Sequence, residues 1–145
     1  MIVREMTCED VDAVMTVDSA AFPDPWKETT FCEEIEKDYS HYFVCETDGT
    51  MVGYAGIWCI YETAELMRIA TMPEFRNRGI AKELMQKILE CAKDCGCERM
   101  MLEVRRSNIP AQKLYTKFGF DEISIRKGYY NGEDALILEK EFKYL

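Results

Sequence analysis

Apolar residues recur at intervals of three and four positions in four segments of the chain, and this spacing predicts amphipathic helices. The first helix is expected to begin behind Thr7 and Asp10, a pair with the spacing of a capping box, and to end at Pro23-Asp24-Pro25. The third and longest is expected to end at Gly96. The four predicted helices run from Val11 to Phe22, from Lys27 to Lys37, from Arg78 to Asp94 and from Pro110 to Phe118.

Short apolar runs between these helices predict seven strands. Asp48-Gly49 separates two of the runs and predicts a hairpin turn. Met100–Val104 is almost continuously apolar, which is typical of a strand covered on both faces in a parallel part of a sheet. The predicted strands are Ile2–Met6, Tyr42–Glu46, Met51–Tyr61, Glu65–Thr71, Met100–Val104, Asp121–Arg126 and Ala135–Phe142.

The order of these elements, β-α-α-β-β-β-α-β-α-β-β, predicts an α/β fold. Its mixed central sheet is expected to be antiparallel in the N-terminal part, to have a parallel central pair and to be flanked by helices. A chain of 145 residues suffices for one domain with its own core, so residues 1–145 are expected to form a single domain. The longest uncharged run, Gly49–Tyr61, is too short to span a bilayer, and the first residues lack a signal-peptide pattern. We therefore expect a cytoplasmic protein without membrane contact.

Charge is distributed unevenly along the chain, which has a net charge of −9. Residues 1–67 carry three basic and 15 acidic side chains, whereas residues 68–145 carry 15 basic and 12 acidic ones. Because nucleic acids are bound largely through their phosphates, the acidic half is unsuited to direct nucleic-acid contact. It favours either a cationic partner or an ordinary solvated surface, and an anionic ligand is expected only on the second half.

The seven cysteines include no Cys-x-x-Cys pair, and the single histidine, His41, has no partner ligand at the spacing of a zinc site. We expect reduced, mostly buried thiols in a reducing cytoplasm and no metal. Metal or redox chemistry is the alternative. No cysteine lies beside an obvious base, so a cysteine nucleophile is not expected.

The segment Arg76–Ala81 joins a predicted strand to the longest helix and has the chemistry of an anion site. The start of a helix offers free backbone N–H groups and the positive end of the helix dipole, and Gly79 lets a ligand approach the backbone. Residues 68–82 carry four basic side chains against Glu74 alone. The segment is interpreted as a pyrophosphate site, or alternatively as a simple turn with solvated arginines.

Three further residues are candidates for chemistry. Glu103 interrupts an apolar strand; burial would raise its pKa and make it a general base, unless it pairs with Arg105 or another basic neighbour. Tyr115 has the spacing of a core residue, yet a phenol can also protonate a thiolate leaving group. Asn108 precedes a helix and is either its N-cap or a hydrogen-bonding group for a ligand.

Together these segments resemble the GNAT superfamily of acetyl-CoA-dependent N-acetyltransferases. The segments that carry the resemblance are Leu66–Ala81, Leu102–Arg105, Ser107-Asn108, Leu114-Tyr115 and Gly119-Phe120. A narrower resemblance is to the RimI family, which acetylates the N-terminal alanine of a small-subunit ribosomal protein. It is carried by Phe22, Pro25-Trp26, Glu103–Arg105, Arg126, Tyr129-Tyr130 and Glu133–Ala135.

The resemblance implies a GNAT fold, acetyl-CoA as co-substrate and direct attack by an acceptor amine. It implies Glu103 as general base and Tyr115 as general acid. The implied cofactor-binding residues are Ile69, Ala70, Thr71, Arg76, Asn77, Arg78, Gly79, Ile80, Ala81 and Asn108. Ala81 stands where glycine is common in the superfamily, and Met72 precedes Pro73 where an acidic residue is usual.

The implied acceptor is the N-terminal α-amine of a basic ribosomal protein. The acidic first half and the pair Tyr129-Tyr130, followed by Glu133 and Asp134, are interpreted as a surface for such a peptide. The alternatives are a GNAT enzyme for a small-molecule amine or a lysine, and a non-catalytic acyl-CoA sensor.

Overall fold

Every helix and strand predicted from the spacing of apolar residues is present in the computed structural model, which describes residues 1–143. The four helices are α1 (Val11–Ala21), α2 (Glu28–Glu36), α3 (Ile80–Asp94) and α4 (Ile109–Lys117). The seven strands are β1 (Ile2–Glu5), β2 (Ser40–Thr47), β3 (Thr50–Ile60), β4 (Thr63–Thr71), β5 (Arg99–Arg105), β6 (Asp121–Tyr130) and β7 (Glu133–Glu141). Single 3-10 turns at Cys8–Asp10 and Pro73–Phe75 precede α1 and α3. The last two residues of the expected domain lie outside the described residues.

The strands form one sheet in the order β1-β2-β3-β4-β5-β7-β6. All neighbours are antiparallel except β4 and β5, which run parallel. The prediction of a mixed α/β sheet with a parallel central pair is therefore confirmed. The Asp48-Gly49 turn is also confirmed, with both residues at positive φ between β2 and β3. None of the described helices is both long and apolar enough to cross a membrane.

The two parallel strands separate soon after they meet. Their pairing covers only Thr63 to Glu65 on β4 and Arg99 to Met101 on β5. Beyond these residues β4 continues to Thr71 beside β3, and β5 continues to Arg105 beside β7. We call the gap between the two diverging ends the β4–β5 cleft.

Helices cover the two faces of the sheet unequally. On one face α3 packs over one core cluster, whose partly buried margin includes Leu114 of α4. On the other face α1 and α2 pack over a second cluster that includes Val44 of β2 and Tyr54 of β3. Neither α1 nor α2 extends over β5–β7, and an open depression of about 450 Å³ lies there.

Because the helices cover the sheet unequally, β5 is not buried on both faces as predicted. Met100, Leu102 and Val104 are buried beneath the α3 side, whereas Met101 and Glu103 are only partly buried. Both of these side chains line the open depression. The expectation of burial on both faces was wrong because a helix covers β5 on one face only.

The start of α3 lies close against the sheet. A Cβ atom at Gly53 of β3 would lie 2.9 Å from Ile80 Cγ2 and 2.9 Å from the Ala70 carbonyl oxygen. A larger residue at Gly53 would push the two elements apart. The glycine therefore fixes the first turn of α3 beside the end of β4.

Candidate active site

The segment between β4 and α3 ends in a helix start without a side-chain cap. Asn77 and Gly79 both have positive φ, and Gly79 is the N-cap of α3. The Glu83 N–H donates to the Gly79 carbonyl at 3.0 Å. Because this is the first bond of the helical ladder, the N–H groups of Ile80, Ala81 and Lys82 have no acceptor within the helix. These groups, at the positive end of a 15-residue helix, suit an anion.

The two arginines of this turn have no carboxylate partner. Arg76 and Arg78 are exposed, and neither takes part in an ion pair within residues 1–143. Arg78 lies over the Phe75 ring at 5.0 Å. Their charges are thus available to a ligand, which fits the predicted pyrophosphate site and equally fits solvated arginines.

Arg68 does not belong to this cationic turn. It was counted there because of its position in the sequence, but its guanidinium binds both oxygens of Asp18, at 2.9 and 3.2 Å. Phe22 and Trp26 pack on the same guanidinium, with centroid distances of 3.9 and 4.8 Å. Arg68 therefore supports α1 and the segment behind it.

Residues Ile69, Ala70 and Thr71 form the free edge of the β4–β5 cleft. On one side they pair with Ala55, Tyr54 and Gly53 of β3. On the other side, β5 pairs with β4 no further than Glu65. Backbone groups on that edge are therefore open to hydrogen bonds from a ligand, as predicted for the acyl end of a cofactor.

Glu103 lies on the open side of β5 and is paired with a cation. Its side chain is 25% exposed, and Oε1 lies 3.0 Å from Arg126 Nη1. The carboxylate is therefore only partly buried, because the depression beside β5 is open. The alternative that Glu103 pairs with a basic residue is therefore confirmed, and that residue is Arg126. Arg105, the named candidate, instead pairs with Glu133 at 3.5 Å.

Tyr115 is buried, yet its hydroxyl has no hydrogen-bond partner among residues 1–143. Its ring packs edge-on against Phe120 at 6.0 Å, which agrees with the core-packing alternative. Within residues 1–143 the hydroxyl makes no hydrogen bond, and it is not among the fully buried polar atoms that lack one. Burial raises the pKa of Tyr115 well above its ordinary value, and the nearby Tyr130 adds to the rise. The phenol is therefore protonated at neutral pH.

Tyr130 interacts electrostatically with both candidate catalytic residues. Burial raises its pKa, and the Glu103 carboxylate raises it further, while Tyr130 in turn acts on Tyr115. The Arg105 guanidinium lies over the Tyr130 ring at 4.3 Å. Glu103 and Tyr115, which come from different elements, thus both interact electrostatically with Tyr130.

Asn108 is the N-cap of α4, since its side-chain oxygen accepts the Ala111 N–H at 3.3 Å. The capping alternative is therefore confirmed. The side chain is exposed, and contact with a cofactor stays a prediction.

The two carboxylates behind the tyrosine pair are already bound to protein groups. Glu133 accepts the Ser107 N–H at 2.7 Å. Asp134 accepts the Gly128 N–H and pairs with Arg106, each at 3.1 Å. They fix the β6–β7 hairpin to the segment after β5 and so are less available to a peptide than expected. Tyr129 is about half exposed.

Two buried carboxylates were not singled out from the sequence. Asp18 is fully buried and accepts bonds from Arg68, the Tyr54 hydroxyl and the Trp26 N–H. We call these four residues the Asp18 cluster. Glu34, in turn, accepts bonds from Tyr42, Trp58 and Lys37. The available signal for Asp18 was an acidic residue on the apolar face of the first helix.

Comparison with known proteins identifies the class to which this fold and site belong. Residues 11–120 match the acetyltransferase (GNAT) family, and the chain belongs to that family, as the sequence resemblance predicted. Its members use acetyl-CoA as acetyl donor.

Individual relatives show which members of the GNAT family the chain resembles. The chain is 44% identical, over 94% of its length and 92% of the relative's, to a candidate ribosomal protein bS18-alanine N-acetyltransferase of Bacillus subtilis (strain 168). It is 29% identical to the ribosomal protein bS18-alanine N-acetyltransferase of Escherichia coli (strain K12), over 94% of both chains. The crystal structure of the Escherichia coli ribosomal-protein-S18-alanine N-acetyltransferase superposes with a TM-score of 0.91 at 28% identity, covering 99% of this chain and 95% of that one. The predicted similarity to the RimI family is confirmed.

Proposed function

We propose that this protein transfers the acetyl group of acetyl-CoA to the N-terminal α-amine of a small-subunit ribosomal protein of the bS18 type, with alanine as the first residue. The observation that carries the proposal is the β4–β5 cleft. It opens beside an uncapped helix start, and Glu103 lies on the diverging part of β5 that borders it. The identity of 44% to a bS18-alanine acetyltransferase candidate over nearly the whole chain supports the choice of acceptor.

The chain offers acetyl-CoA two sets of backbone groups. The free N–H groups at Ile80 and Ala81, with Arg76, Asn77, Arg78 and Gly79 before them, would hold the pyrophosphate. The open edge at Ile69, Ala70 and Thr71 would hold the acyl end, and Asn108 would touch the cofactor from α4. When bound, acetyl-CoA supplies an activated thioester. A backbone N–H of the open edge would stabilise negative charge that develops on its carbonyl oxygen.

Glu103 is suited to deprotonate an α-amine. An ammonium has no lone pair, so the acceptor must lose a proton before it attacks. The pKa of an N-terminal amine is about 7.7–8.0, against about 10.4 for lysine, so a mild base suffices. Glu103 pairs with Arg126, and the open depression beside it leaves room for a water through which the proton passes.

Tyr115 is suited to protonate the CoA thiolate as it leaves. As the amine forms its C–N bond, the C–S bond breaks and the electron pair stays on sulfur. The buried, protonated phenol donates a hydrogen bond and then its proton to that sulfur. Its hydroxyl bonds to no group in the described part of the chain, which supports this role, because none of those groups has to be displaced first.

The acidic charge of the first half of the chain suits a basic protein as the acetyl acceptor. Residues 1–67 carry a net charge of −12, and a surface of this sign accelerates encounter with a cationic protein. Tyr129 and Tyr130 would form an aromatic wall for the peptide. We place the reaction in the cytoplasm, with no direct contact to nucleic acid or membrane.

Binding of acetyl-CoA is tested by thermal unfolding with and without the ligand. Acetyl-CoA should raise the melting temperature of the wild type, and Gly79→Glu should abolish the rise by adding bulk and negative charge at the helix start. Gly49→Glu is the matched control, because Gly49 also has a positive φ and open space around it but lies in a hairpin turn. Equal loss of the shift in both variants would contradict the assigned pyrophosphate site.

Measuring the release of free CoA thiol from acetyl-CoA distinguishes an acetyltransferase from a non-catalytic acyl-CoA sensor. We expect release only when an amine acceptor is present, since attack by the acceptor breaks the thioester. Binding of acetyl-CoA without release on any alanine peptide would favour the non-catalytic alternative.

A further inference from the structure

A second cluster of reactive side chains lies at the C-terminal end of α3. Cys95 Sγ and His41 Nε2 are 3.6 Å apart. With Cys91 Sγ, these three atoms all lie within 4.8 Å of one another. Cys59 of β3 and Cys91 both pack at the margin of the core beneath α3, and the Cys59 thiol interacts with those of Cys91 and Cys95. Three thiols and the single imidazole of the chain therefore converge.

The fold brings these groups together from three elements. Cys91 and Cys95 are four residues apart near the end of α3 and so lie on one side of it. His41 of β2 stands opposite Ile57 of β3, and Cys59 lies two residues further on the same face of the sheet. Ile57 belongs to the core beneath α3. No partner for His41 was found at the sequence spacing of a zinc site, because that spacing does not report contacts 54 residues apart.

We propose that His41, Cys59, Cys91 and Cys95 bind one soft divalent cation such as Zn²⁺. Three thiolates and one imidazole are an established ligand set for tetrahedral zinc. With Zn–S near 2.3 Å and Zn–N near 2.0–2.1 Å, tetrahedral geometry separates a sulfur and a nitrogen ligand by about 3.6 Å. The distance between Cys95 Sγ and His41 Nε2 matches this value.

The surroundings of the cluster also favour a cation. His41, Cys59 and Cys91 are partly buried and Cys95 is exposed, so an ion can reach the ligands from solvent. The carboxylates of Asp94 and Glu5 act electrostatically on Cys91. Four protein ligands close the coordination shell, and the site lies at the opposite end of α3 from the proposed cofactor turn, about 20 Å away along a 15-residue helix. The ion would tie the end of α3 to β2 and β3 and take no part in acetyl transfer.

Cobalt provides the direct test, because Co²⁺ bound to thiolates absorbs strongly in a way that hydrated Co²⁺ does not. Reduced, metal-free protein titrated with Co²⁺ should develop thiolate charge-transfer and tetrahedral d–d bands that saturate at one ion per chain. Zn²⁺ should then remove the bands and raise the melting temperature.

Matched cysteine variants assign the ligands. Cys91→Ser/Cys95→Ser should lose the bands, whereas Cys8→Ser/Cys32→Ser should keep them, since those two thiols lie on the other side of the sheet with α1 and α2. Circular dichroism checks that both variants are folded. Absence of the bands in the wild type overturns the proposal, as does their persistence in folded Cys91→Ser/Cys95→Ser. A Cys59–Cys91 disulfide in the reduced, metal-free preparation, found by mass spectrometry together with no cobalt bands, also overturns it.

Discussion

The Asp18 cluster and the surroundings of Glu103 and Tyr115 both contain a carboxylate and a tyrosine hydroxyl, but their partners differ. Asp18 is fully buried, and Tyr54, Arg68 and the Trp26 N–H all donate to it. Glu103 is a quarter exposed with one ion pair, and the Tyr115 hydroxyl has no protein partner within the described residues.

The difference separates polar groups that hold the fold from polar groups that are free to react. A buried carboxylate is stable only when its bonds are satisfied, and once satisfied it has no capacity left for a substrate. The Tyr115 hydroxyl still has that capacity. Removal of an Asp18 partner should therefore cost stability, whereas removal of the Tyr115 hydroxyl should cost turnover.

Asp18→Ala should have the largest effect. It leaves the Arg68 guanidinium and the Tyr54 hydroxyl without their buried acceptor, and loss of one partner from a buried ion pair costs about 3–5 kcal/mol. Urea unfolding measures the loss. Asp12→Ala, an exposed position on the same helix, should change stability by less than about 0.5 kcal/mol. Similar losses in the two variants would refute the structural role of the Asp18 cluster.

Tyr115→Phe and Tyr54→Phe make the same chemical change in the two regions. Tyr115→Phe should lower turnover about 100-fold, the lower end of the range for a lost general acid, and leave acetyl-CoA affinity and unfolding unchanged. Tyr54→Phe should lower stability by about 1–3 kcal/mol, because its hydroxyl donates to Asp18. Steady-state kinetics and urea unfolding of both variants distinguish the roles. Unchanged turnover in Tyr115→Phe would leave that residue with its packing role alone.

Glu103→Gln should reduce activity by about 100-fold near pH 6.5 and by less as the pH rises. At low pH the acceptor amine is an ammonium and needs a base, whereas at high pH it is already neutral. The measurement is a pH profile of kcat/KM. Glu65 lines the same depression and makes no ion pair within residues 1–143, so Glu65→Gln should leave the profile unchanged. A uniform loss across the pH range would argue against a base at Glu103.

Asp10 gives the smallest effect and extends the comparison to a carboxylate whose cationic partner, Arg4, is more exposed than Arg68. A hydrogen bond from Arg4 lowers the pKa of Asp10 from its ordinary 3.8 to about 2. A lowered pKa stabilises the fold above pH 4, and this contribution disappears as the pH falls from about 4 to about 2. Asp10→Asn should lose about 1–2 kcal/mol at pH 7 and almost nothing near pH 2, as measured by urea unfolding. The exposed Glu9→Gln should show no such pH dependence, and a constant deficit in Asp10→Asn would contradict the ion-pair explanation.

Local features of the fold could be predicted from the sequence, since helix periodicity, caps and turn residues act over a few positions. Thr7 and Asp10 form the predicted capping box, and α3 ends at Asp94 as expected. Strand β6 continues four residues beyond the predicted Arg126, past a register shift that contains Gly128. An irregularity of this kind interrupts the alternation on which the prediction depended.

Features that depend on distant contacts could not be predicted in this way. Arg68 was assigned to the anion site by its position in the chain, but its partner Asp18 lies 50 residues away. The His41–Cys95 contact spans 54 residues. Glu103 was singled out as a carboxylate in an apolar run. The burial of its strand, β5, was overestimated, because the sequence does not tell which faces of the sheet the helices leave open.

Acetyl transfer to an α-amine is tested most directly by mass spectrometry of three peptides that start with alanine. One has a free N-terminus, one has a blocked N-terminus and an internal lysine, and one has both a free N-terminus and an internal lysine. With acetyl-CoA and the wild-type protein, we expect acetylation at the free α-amine of the first and third peptides and none on the blocked one. Acetylation of the lysine in the blocked peptide, with the free α-amines left unmodified, would contradict the account.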